Sequence, residues 1–270
     1  MSRVARAARA LPRLVVYLAW TLMLMPLQVV ALALGSRLAE RIPLAYHRSV
    51  CCIIGLRVER RGATSSARPT LFVCNHTSYL DITALGSLIP GSFVAKREVA
   101  GWPLFGTLAK LQRSVFIERH RRRTGEHRDE MAGRLAAGDT LILFPEGTSD
   151  DGNRVLPFRS GLFAAAEQRL DGAPVTVQPV SIAYSGLGGF PMLRAMRPFF
   201  AWYGDMELTS HLWTMLGRGP VTVVVEFHPP VTIDRFGTRK ALAAHCHAVI
   251  TAGVSAAIHG TAPRPARRSA

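Results

Sequence analysis

The stretch Asn75 to Asp81, NHTSYLD, places a histidine and a carboxylate five residues apart, directly after the apolar run TLFVC. A carboxylate bound to one imidazole nitrogen leaves the other nitrogen able to take a proton from a hydroxyl. His76 and Asp81 are therefore a candidate general-base pair at the end of a buried strand. The same residues also fit a helix start, with Ser78 as N-cap and Asp81 in the first turn, as in a capping box. The two interpretations are compatible, because a first helical turn can both hold a carboxylate and aim it.

The sequence does not pair these residues with an obvious protein nucleophile. It contains no GxSxG motif that would present a serine. The four cysteines show no CxxC pair or zinc-like spacing, which is typical of reduced thiols in a cytosol-facing protein. Cys74 as a nucleophile beside His76 is the alternative. Without a nucleophile, the pair needs a substrate hydroxyl or water to attack.

A second polar stretch, FPEGTSDDG at residues 144–152, follows the apolar run TLILF. Pro145 stops a strand, and Gly147 permits a tight turn with exposed backbone amides. Such a turn can hold an anion or a polar headgroup, with Glu146 positioning a hydroxyl or an ammonium. An ordinary acidic turn is the alternative interpretation.

Two further stretches complete the set. Residues 96–119, from Lys96 to Arg119, contain an apolar lip at 102–105, and Arg119 ends a predicted strand where it can bind an anionic headgroup. A solvated arginine at a strand end is equally consistent with this position. Pro179 lies within the apolar run VTVQPVSIAY, which predicts a sheet edge or a bulge there.

The elements that must position these residues are predicted from the alternation of apolar runs and helical patterns. The runs lie at 71–74, 92–95, 114–117, 140–144, 175–184 and 221–227, and the helical patterns near 79–88, 125–137, 160–170 and 239–258. Continuous rather than alternating apolar strands indicate a sheet covered on both faces. We therefore expect an α/β fold with a single mixed-sheet layered domain at 46–258, preceded by a membrane anchor at 1–45 and followed by a disordered basic tail at 259–270.

The segment from Leu14 to Leu34 carries no charge and is long enough to cross a bilayer core. Arginines flank it on both sides, so charge does not decide its orientation. Pro26 removes a backbone donor in its middle and predicts a kink. An apolar helix that spans the membrane and a helical hairpin that dips into one leaflet both remain open.

The composition narrows the possible partners. With 49% hydrophobic residues, 19% charged residues and a net charge of +15, the chain is neither disordered nor a multi-span transporter. The charge implies an acidic partner: nucleic acid, anionic membrane lipid or an acidic carrier protein. The apolar leading segment and the lack of a recognisable nucleic-acid module favour lipid and carrier protein. The densest basic run, 119–123, is a candidate contact for either, and a solvated loop is the alternative.

Together, the four stretches resemble the ordered motifs of the glycerolipid acyltransferase family, of the 1-acylglycerol-3-phosphate acyltransferase type. His76 and Asp81 match its H-x4-D motif. The second motif matches from Lys96 to Arg119, the third at Phe144 to Thr148, and the fourth at Pro179. The match spans roughly residues 70 to 185 in the correct order and spacing.

The resemblance implies direct acyl transfer from an acyl-carrier-protein or coenzyme A thioester to the hydroxyl of a lyso-lipid, without cofactor or metal. His76 is then the base and Asp81 orients it. The acceptor-binding residues implied are Lys96, Arg119, Glu146, Gly147, Thr148 and Ser149, with Asn75, Ser78 and Pro179 in support. Such an enzyme is expected at the cytoplasmic face of a bacterial inner membrane.

One position departs from the family pattern. The third motif usually ends in arginine, and here Ser149 stands there, followed by Asp150 and Asp151. A phosphate acceptor is less favourable beside two carboxylates, although Arg119, Arg154 or Arg159 can compensate. The stretches DGNRVLPFRSGLFAAAE and FAWYGDM resemble the lyso-ornithine lipid acyltransferase branch, whose acceptor headgroup is a zwitterionic amino acid, and Asp205 is a candidate partner for its ammonium. An interfacial aromatic patch is the alternative for the second stretch.

Three other functions remain to be weighed. A 1-acylglycerol-3-phosphate acyltransferase uses the same motifs on a phosphate acceptor. A lyso-lipid hydrolase would use the same His–Asp pair with water, which an apolar lip disfavours. A non-catalytic membrane scaffold would explain the charge and not four ordered polar motifs.

Overall fold

The computed structural model describes residues 3–117 and 124–260. Its helices are α1 (Arg3–Ala33), α2 (Leu38–Ile54), α3 (Leu80–Gly86), α4 (Phe105–Leu111), α5 (Thr124–Ala136), α6 (Leu208–Leu216) and α7 (Arg239–His259). Its strands are β1 (Leu56–Arg61), β2 (Thr70–Cys74), β3 (Ser92–Lys96), β4 (Val115–Ile117), β5 (Leu141–Leu143), β6 (Arg169–Leu170), β7 (Ala173–Pro174), β8 (Thr176–Leu187), β9 (Phe190–Pro191) and β10 (Val221–Phe227). Arg119, the rest of the basic run 119–123 and the tail from residue 261 lie outside the described residues.

The predicted mixed sheet is confirmed. Its strands follow the order β1-β10-β8-β2-β5-β3-β4, with β9 pairing to β8. All neighbouring pairs along this order are parallel except β8 with β10, and β9 is also antiparallel to β8. The central strands β2, β5 and β3 are therefore parallel neighbours, and their carboxyl ends lie at one edge of the sheet.

Helices cover both faces of this sheet, as its continuous apolar strands require. All five residues of β2 are buried. One core cluster joins the sheet to α2, α3 and α6, and a second joins its other face to α5 and α7. The apolar helix α7 packs on β8, and its buried residues are Leu242, Ala243, Cys246, Ile250, Gly253, Val254 and Ala257.

The amino-terminal segment forms a helical hairpin. α1 continues through Pro12 and Pro26, and after a short turn α2 returns along it. α1 also contacts α6 and α4, while its outer side exposes a long series of apolar side chains, including Leu11, Val15, Leu18 and Leu22. Among the described helices, α1 and α7 are long and apolar enough to cross a membrane. In the apolar stretch of α7, 39% is buried in the domain, whereas in that of α1 only 17% is buried. α1 is the candidate anchor.

Two local predictions are confirmed only in part. The helix predicted near 160–170 is present as a 3₁₀ helix, Ser160–Glu167, and is shorter than predicted. Gly161 weakens a helix start, and the hairpin of β6 and β7 ends the segment early. Pro179 lies in the central strand β8, so the predicted sheet edge is wrong. The regular β8–β10 ladder ends at Val180 and Phe227, and the next bridge, between Val177 and Val231, is offset by one residue, so the pairing opposite Pro179 is irregular, as a bulge there predicts.

The sheet tolerates Pro179 because of the direction in which its nitrogen points. The Pro179 carbonyl accepts a hydrogen bond from the His228 backbone amide, 3.0 Å away. In a strand, the nitrogen and carbonyl of one residue face the same side, so the Pro179 nitrogen faces the region where β10 has already ended. The missing N–H therefore removes no ladder hydrogen bond to β2.

Candidate active site

The polar motifs meet where β2, β5 and β3 end. His76 follows β2, Glu146 follows β5, and Lys96 is the last residue of β3. Because these strands are parallel neighbours, motifs separated by 70 residues in the chain are brought to one edge of the sheet.

The candidate base and its carboxylate are in direct contact. His76 Nδ1 lies 2.9 Å from Asp81 Oδ2. Asp81 is fully buried, whereas 22% of the His76 side chain is exposed. The His76 ring stacks on Phe144 with centroids 4.1 Å apart, which fixes its plane. This arrangement directs Nδ1–H to the carboxylate and leaves Nε2 for a substrate proton.

The buried carboxylate is supported by three further donors. The backbone amides of Thr77 and Ser78 donate to Asp81 Oδ2 at 2.6 and 2.9 Å, and the Tyr184 hydroxyl donates to Oδ1 at 2.8 Å. Burial and the neighbouring carboxylate raise the pKa of Tyr184 well above its ordinary value, so this hydroxyl stays a donor. Four hydrogen bonds compensate Asp81 for its lost water. The carboxylate half of the predicted capping box is therefore present, while Ser78 Oγ accepts only a long bond, 3.4 Å, from the Leu80 amide.

Glu146 links the first and third motifs. Its Oε1 accepts from the His76 backbone amide at 2.9 Å, and its Oε2 from the Leu156 amide at 3.2 Å. Burial raises the pKa of Glu146 to about 8, an effect that the two amide bonds partly oppose. Glu146 is positioned to hold the backbone of the histidine loop, and its buried side chain does not line the cavity described below.

Asn75 holds the end of β2 against β8. Its side-chain amide donates to the Ile182 carbonyl and accepts from the Ile182 amide, both at 2.9 Å. Cys74 is fully buried, and burial raises its thiol pKa well above the ordinary value. A protonated, inaccessible thiol is not a nucleophile.

The segment 199–203 closes one side of the site. The Trp202 amide donates to the Thr77 carbonyl at 3.0 Å, and the Ser149 hydroxyl donates to the Trp202 carbonyl at 2.5 Å. The Trp202 ring makes edge contacts with Trp102 and Tyr79. The Ser149 hydroxyl thus fastens this aromatic segment to the third motif, and the Trp202 amide fastens it to the first motif.

A large cavity opens beside the candidate base. Its volume is about 1240 Å³, and its walls come from α1, α2, α4 and the motif loops. Sequence-predicted residues on its wall are His76, Lys96, Gly147, Thr148 and Ser149, together with Trp102 and Phe105 of the predicted lip. The other predicted site residues described by the structure, Asn75, Ser78, Asp81, Glu146 and Pro179, lie behind the wall.

The cations near the third motif differ in their surroundings. Arg154 forms an ion pair with Asp150 at 2.6 Å. The Arg159 guanidinium lines the cavity and lies against Gly147. A Cβ atom added to Gly147 would be only 3.1 Å from this guanidinium. Gly147 has a positive φ of 71°, so glycine is required there both for the turn and for this close approach. Arg159 is therefore the cavity-lining cation that the described structure places against the third motif, at Gly147, while Arg119 lies outside the described residues.

Three groups that contribute to the site are not predicted from the sequence. They are the Tyr184 hydroxyl, the Leu156 amide and the Trp202 carbonyl. Tyr184 has a weak sequence signal, as the polar end of the apolar run that contains Pro179. The other two are backbone groups, and no residue type identifies them.

The chain is similar to known lipid acyltransferases. Residues 55–183 match the family model described as Acyltransferase. The chain is 43% identical to a lyso-ornithine lipid O-acyltransferase of Rhizobium meliloti (strain 1021), covering 82% of this chain and 77% of that protein. It is 45% identical to the protein of the same name from Brucella abortus (strain 2308), covering 83% and 86%.

Two further similarities concern the phosphate-acceptor type. A 1-acyl-sn-glycerol-3-phosphate acyltransferase of Neisseria gonorrhoeae is 34% identical, covering 64% of each chain. The crystal structure of the 1-acyl-sn-glycerophosphate acyltransferase from Thermotoga maritima superposes with a TM-score of 0.66 at 22% identity, covering 93% of this chain and 96% of that one. This last similarity supports the fold.

Proposed function

This chain belongs to the acyltransferase family, and we propose that it transfers a fatty acyl group from a thioester to the hydroxyl of lyso-ornithine lipid. The observation that carries the chemistry is the His76–Asp81 contact beside a large cavity. The identity of 43 to 45% with two lyso-ornithine lipid O-acyltransferases supports the choice of acceptor.

The proposed reaction needs no covalent enzyme intermediate. His76 Nε2 removes the acceptor proton while the acceptor oxygen attacks the thioester carbonyl. The carbon–sulfur bond breaks, and the proton held on His76 passes to the leaving thiolate. Asp81 keeps Nδ1–H oriented and stabilises the positive imidazolium formed in between. The thioester is that of an acyl carrier protein or coenzyme A.

Transfer to a lyso-lipid is favoured over hydrolysis by the walls of the cavity. Trp102, Phe105 and Trp202 line it on the side of the motifs, so a bound acyl chain displaces water from the region around His76. Exclusion of water is what allows a hydroxyl acceptor to compete with hydrolysis.

The headgroup of ornithine carries a carboxylate and an ammonium, and the proposed site offers a partner for each. The Arg159 guanidinium can bind the carboxylate with two parallel hydrogen bonds. The Ser149 hydroxyl donates a hydrogen bond to the Trp202 carbonyl, so the lone pairs of Ser149 Oγ are available to accept a hydrogen bond from an ammonium. Asp205 is exposed and follows Gly204 of the cavity wall, where it adds negative charge near the ammonium.

A 1-acylglycerol-3-phosphate acceptor is the second candidate. The 34% identity with the Neisseria gonorrhoeae enzyme supports it, and Arg159 can bind a phosphate as well as a carboxylate. Asp150, which is paired with Arg154, and Asp151 oppose a phosphate, because both carboxylates follow Ser149 directly.

The membrane partner is proposed from charge and from α1. The exposed apolar side of α1 fits the acyl region of a bilayer, and the net charge of +15 favours anionic lipid. We place the enzyme at the cytoplasmic face of a bacterial inner membrane, where acyl carrier protein, an acidic partner, can deliver the acyl chain.

The test is a competition between acceptors. Membranes containing the full chain receive a labelled acyl thioester with lyso-ornithine lipid, 1-acylglycerol-3-phosphate or both. Labelled ornithine lipid as the main product of the mixture is the expected result. Labelled phosphatidic acid as the main product would overturn the acceptor assignment, and labelled free fatty acid alone would indicate a hydrolase.

A further inference from the structure

Between α1, α2 and α4, the cavity is lined by polar side chains that acyl transfer does not require. A series of aromatic rings, His76, Phe144, Phe93 and His47, runs along its wall with successive centroid distances of 4.1, 6.2 and 6.5 Å. His47 is thus three ring contacts away from the candidate base. Gln28 lines the same cavity. Both side chains are more than nine-tenths buried.

Gln28 leaves one hydrogen-bond acceptor without a donor. Its Nε2 donates to two backbone carbonyls, Ala39 at 3.0 Å and Leu111 at 2.9 Å. Two carbonyl partners require the amide nitrogen on that side, so the orientation of the amide is fixed by its contacts. The buried Oε1 has no partner within the described residues.

His47 provides a second buried hydrogen-bond acceptor that lacks a donor among the described residues. Its Nε2 lies 2.7 Å from Gln112 Oε1, and Gln112 Nε2 donates to the Gly91 carbonyl at 3.1 Å. Gln112 therefore offers an acceptor, and His47 Nε2 carries the hydrogen. Burial lowers the pKa of His47 to about 4, so the ring is neutral and Nδ1 is an acceptor. Nδ1 is buried and finds no partner within the part of the chain that the structure describes.

We propose that Gln28 and His47 form a subsite for an O–H donor in the cavity that holds the transferred acyl chain. The donor is a hydroxyl carried by that chain or a water molecule retained below the end of a plain chain. Both sources share one chemistry, because each brings a hydrogen to a buried acceptor. An acceptor left unpaired by a purely apolar chain disfavours binding by about 5- to 100-fold. The subsite therefore selects acyl chains by hydroxylation or by length.

The inference rests on the proposed acyl transfer. The acyl-chain specificity of the wild-type protein tests the subsite without any mutation. Membranes containing the full chain receive coenzyme A and carrier-protein thioesters of increasing length, each plain and with a hydroxyl at successive positions. A gain in kcat/KM of about 5-fold or more for one hydroxyl position identifies the chain as the donor. A fall in kcat/KM of about 5-fold or more beyond one acyl-chain length, with no gain from a hydroxyl at any position, identifies retained water as the donor.

Variants test whether Gln28 and His47 cause the dependence of kcat/KM on acyl-chain length and hydroxylation. Gln28→Met and His47→Phe remove the acceptors, and each is expected to abolish the hydroxyl preference or to admit longer chains. Thr21→Val is the matched control: Thr21 is a buried cavity residue of α1, and its hydroxyl is already bonded to the Tyr17 carbonyl and the Tyr46 hydroxyl. It should leave the profile unchanged, and melting temperatures show which variants are folded.

A wild-type profile that is flat in both length and hydroxylation overturns the subsite while leaving acyl transfer intact. Folded Gln28 and His47 variants with the parent profile also overturn it. Absence of transfer from every thioester overturns the proposed function, and the subsite with it.

Discussion

Replacing Asp81 by asparagine separates its catalytic role from its structural one. An asparagine oxygen in the place of Oδ2 can still accept from His76 Nδ1 and from the Thr77 and Ser78 amides. Its amide then faces the Tyr184 hydroxyl, which can turn and accept. The substitution therefore removes the charge and keeps the hydrogen-bond geometry.

The magnitude follows from the contact distance. At the observed 2.9 Å and an effective dielectric constant of about 20, the attraction between carboxylate and imidazolium is about 6 kcal/mol before solvent screening. The exposed edge of His76 reduces this value, so we expect a loss of about 100- to 10,000-fold in rate. Asp81→Ala is different, because it leaves two buried amides and a buried hydroxyl without their acceptor, and should lower stability as well.

The assay is single-turnover acyl transfer from a labelled thioester, with thermal unfolding measured on the same preparations. Asp81→Asn should unfold close to the parent and be nearly inactive, whereas Asp81→Ala should be inactive and less stable. A folded Asp81→Asn enzyme within about threefold of the parent rate would refute the reasoning. Asp81 would then serve only to begin α3.

Three other changes test separate parts of the structure. Because the pKa of Glu146 is raised from 4.5 to about 8 on folding, the folded state binds the extra proton, and stability should fall as pH rises from about 5 to 8; denaturant titrations should show a shallower fall for Glu146→Gln, and parallel curves would contradict this. Gly253→Ala would place a Cβ 2.7 Å from the His228 ring, so the melting curve should report a loss of about 1–3 kcal/mol, and an unchanged melting temperature would show that α7 can shift without cost. Ser149→Arg removes the bond to Trp202 and adds a cation, so kcat/KM should fall about 10-fold for lyso-ornithine lipid and rise for 1-acylglycerol-3-phosphate; unchanged ratios would exclude Ser149 as a specificity residue.

The sequence predicts the parts of this site that depend on residue type and local order. His76 and Asp81 are close in the chain, so one loop and one helical turn bring them together. The adjacency of Glu146 and His76 follows from two parallel strands, a pairing that apolar runs suggest and do not prove. The continuous apolar strands likewise predict the two-sided sheet.

Other features depend on tertiary contacts that carry no local signal. The bond between Ser149 and the Trp202 carbonyl joins residues 53 positions apart through a backbone atom. The central position of Pro179 depends on where β10 ends, which its own neighbours do not determine. The return of α2 along α1 is decided by packing, and the apolar run alone was compatible with either anchor geometry.

The most direct test of the account is the rate of acyl transfer to lyso-ornithine lipid by His76→Ala beside the parent chain. General-base catalysis predicts a loss of about 100- to 10,000-fold with an unchanged melting temperature. The His76 side chain is partly exposed, and without the imidazole Asp81 still accepts from the Thr77 and Ser78 amides and the Tyr184 hydroxyl. A folded His76→Ala protein that transfers the acyl chain at the parent rate would contradict the central claim.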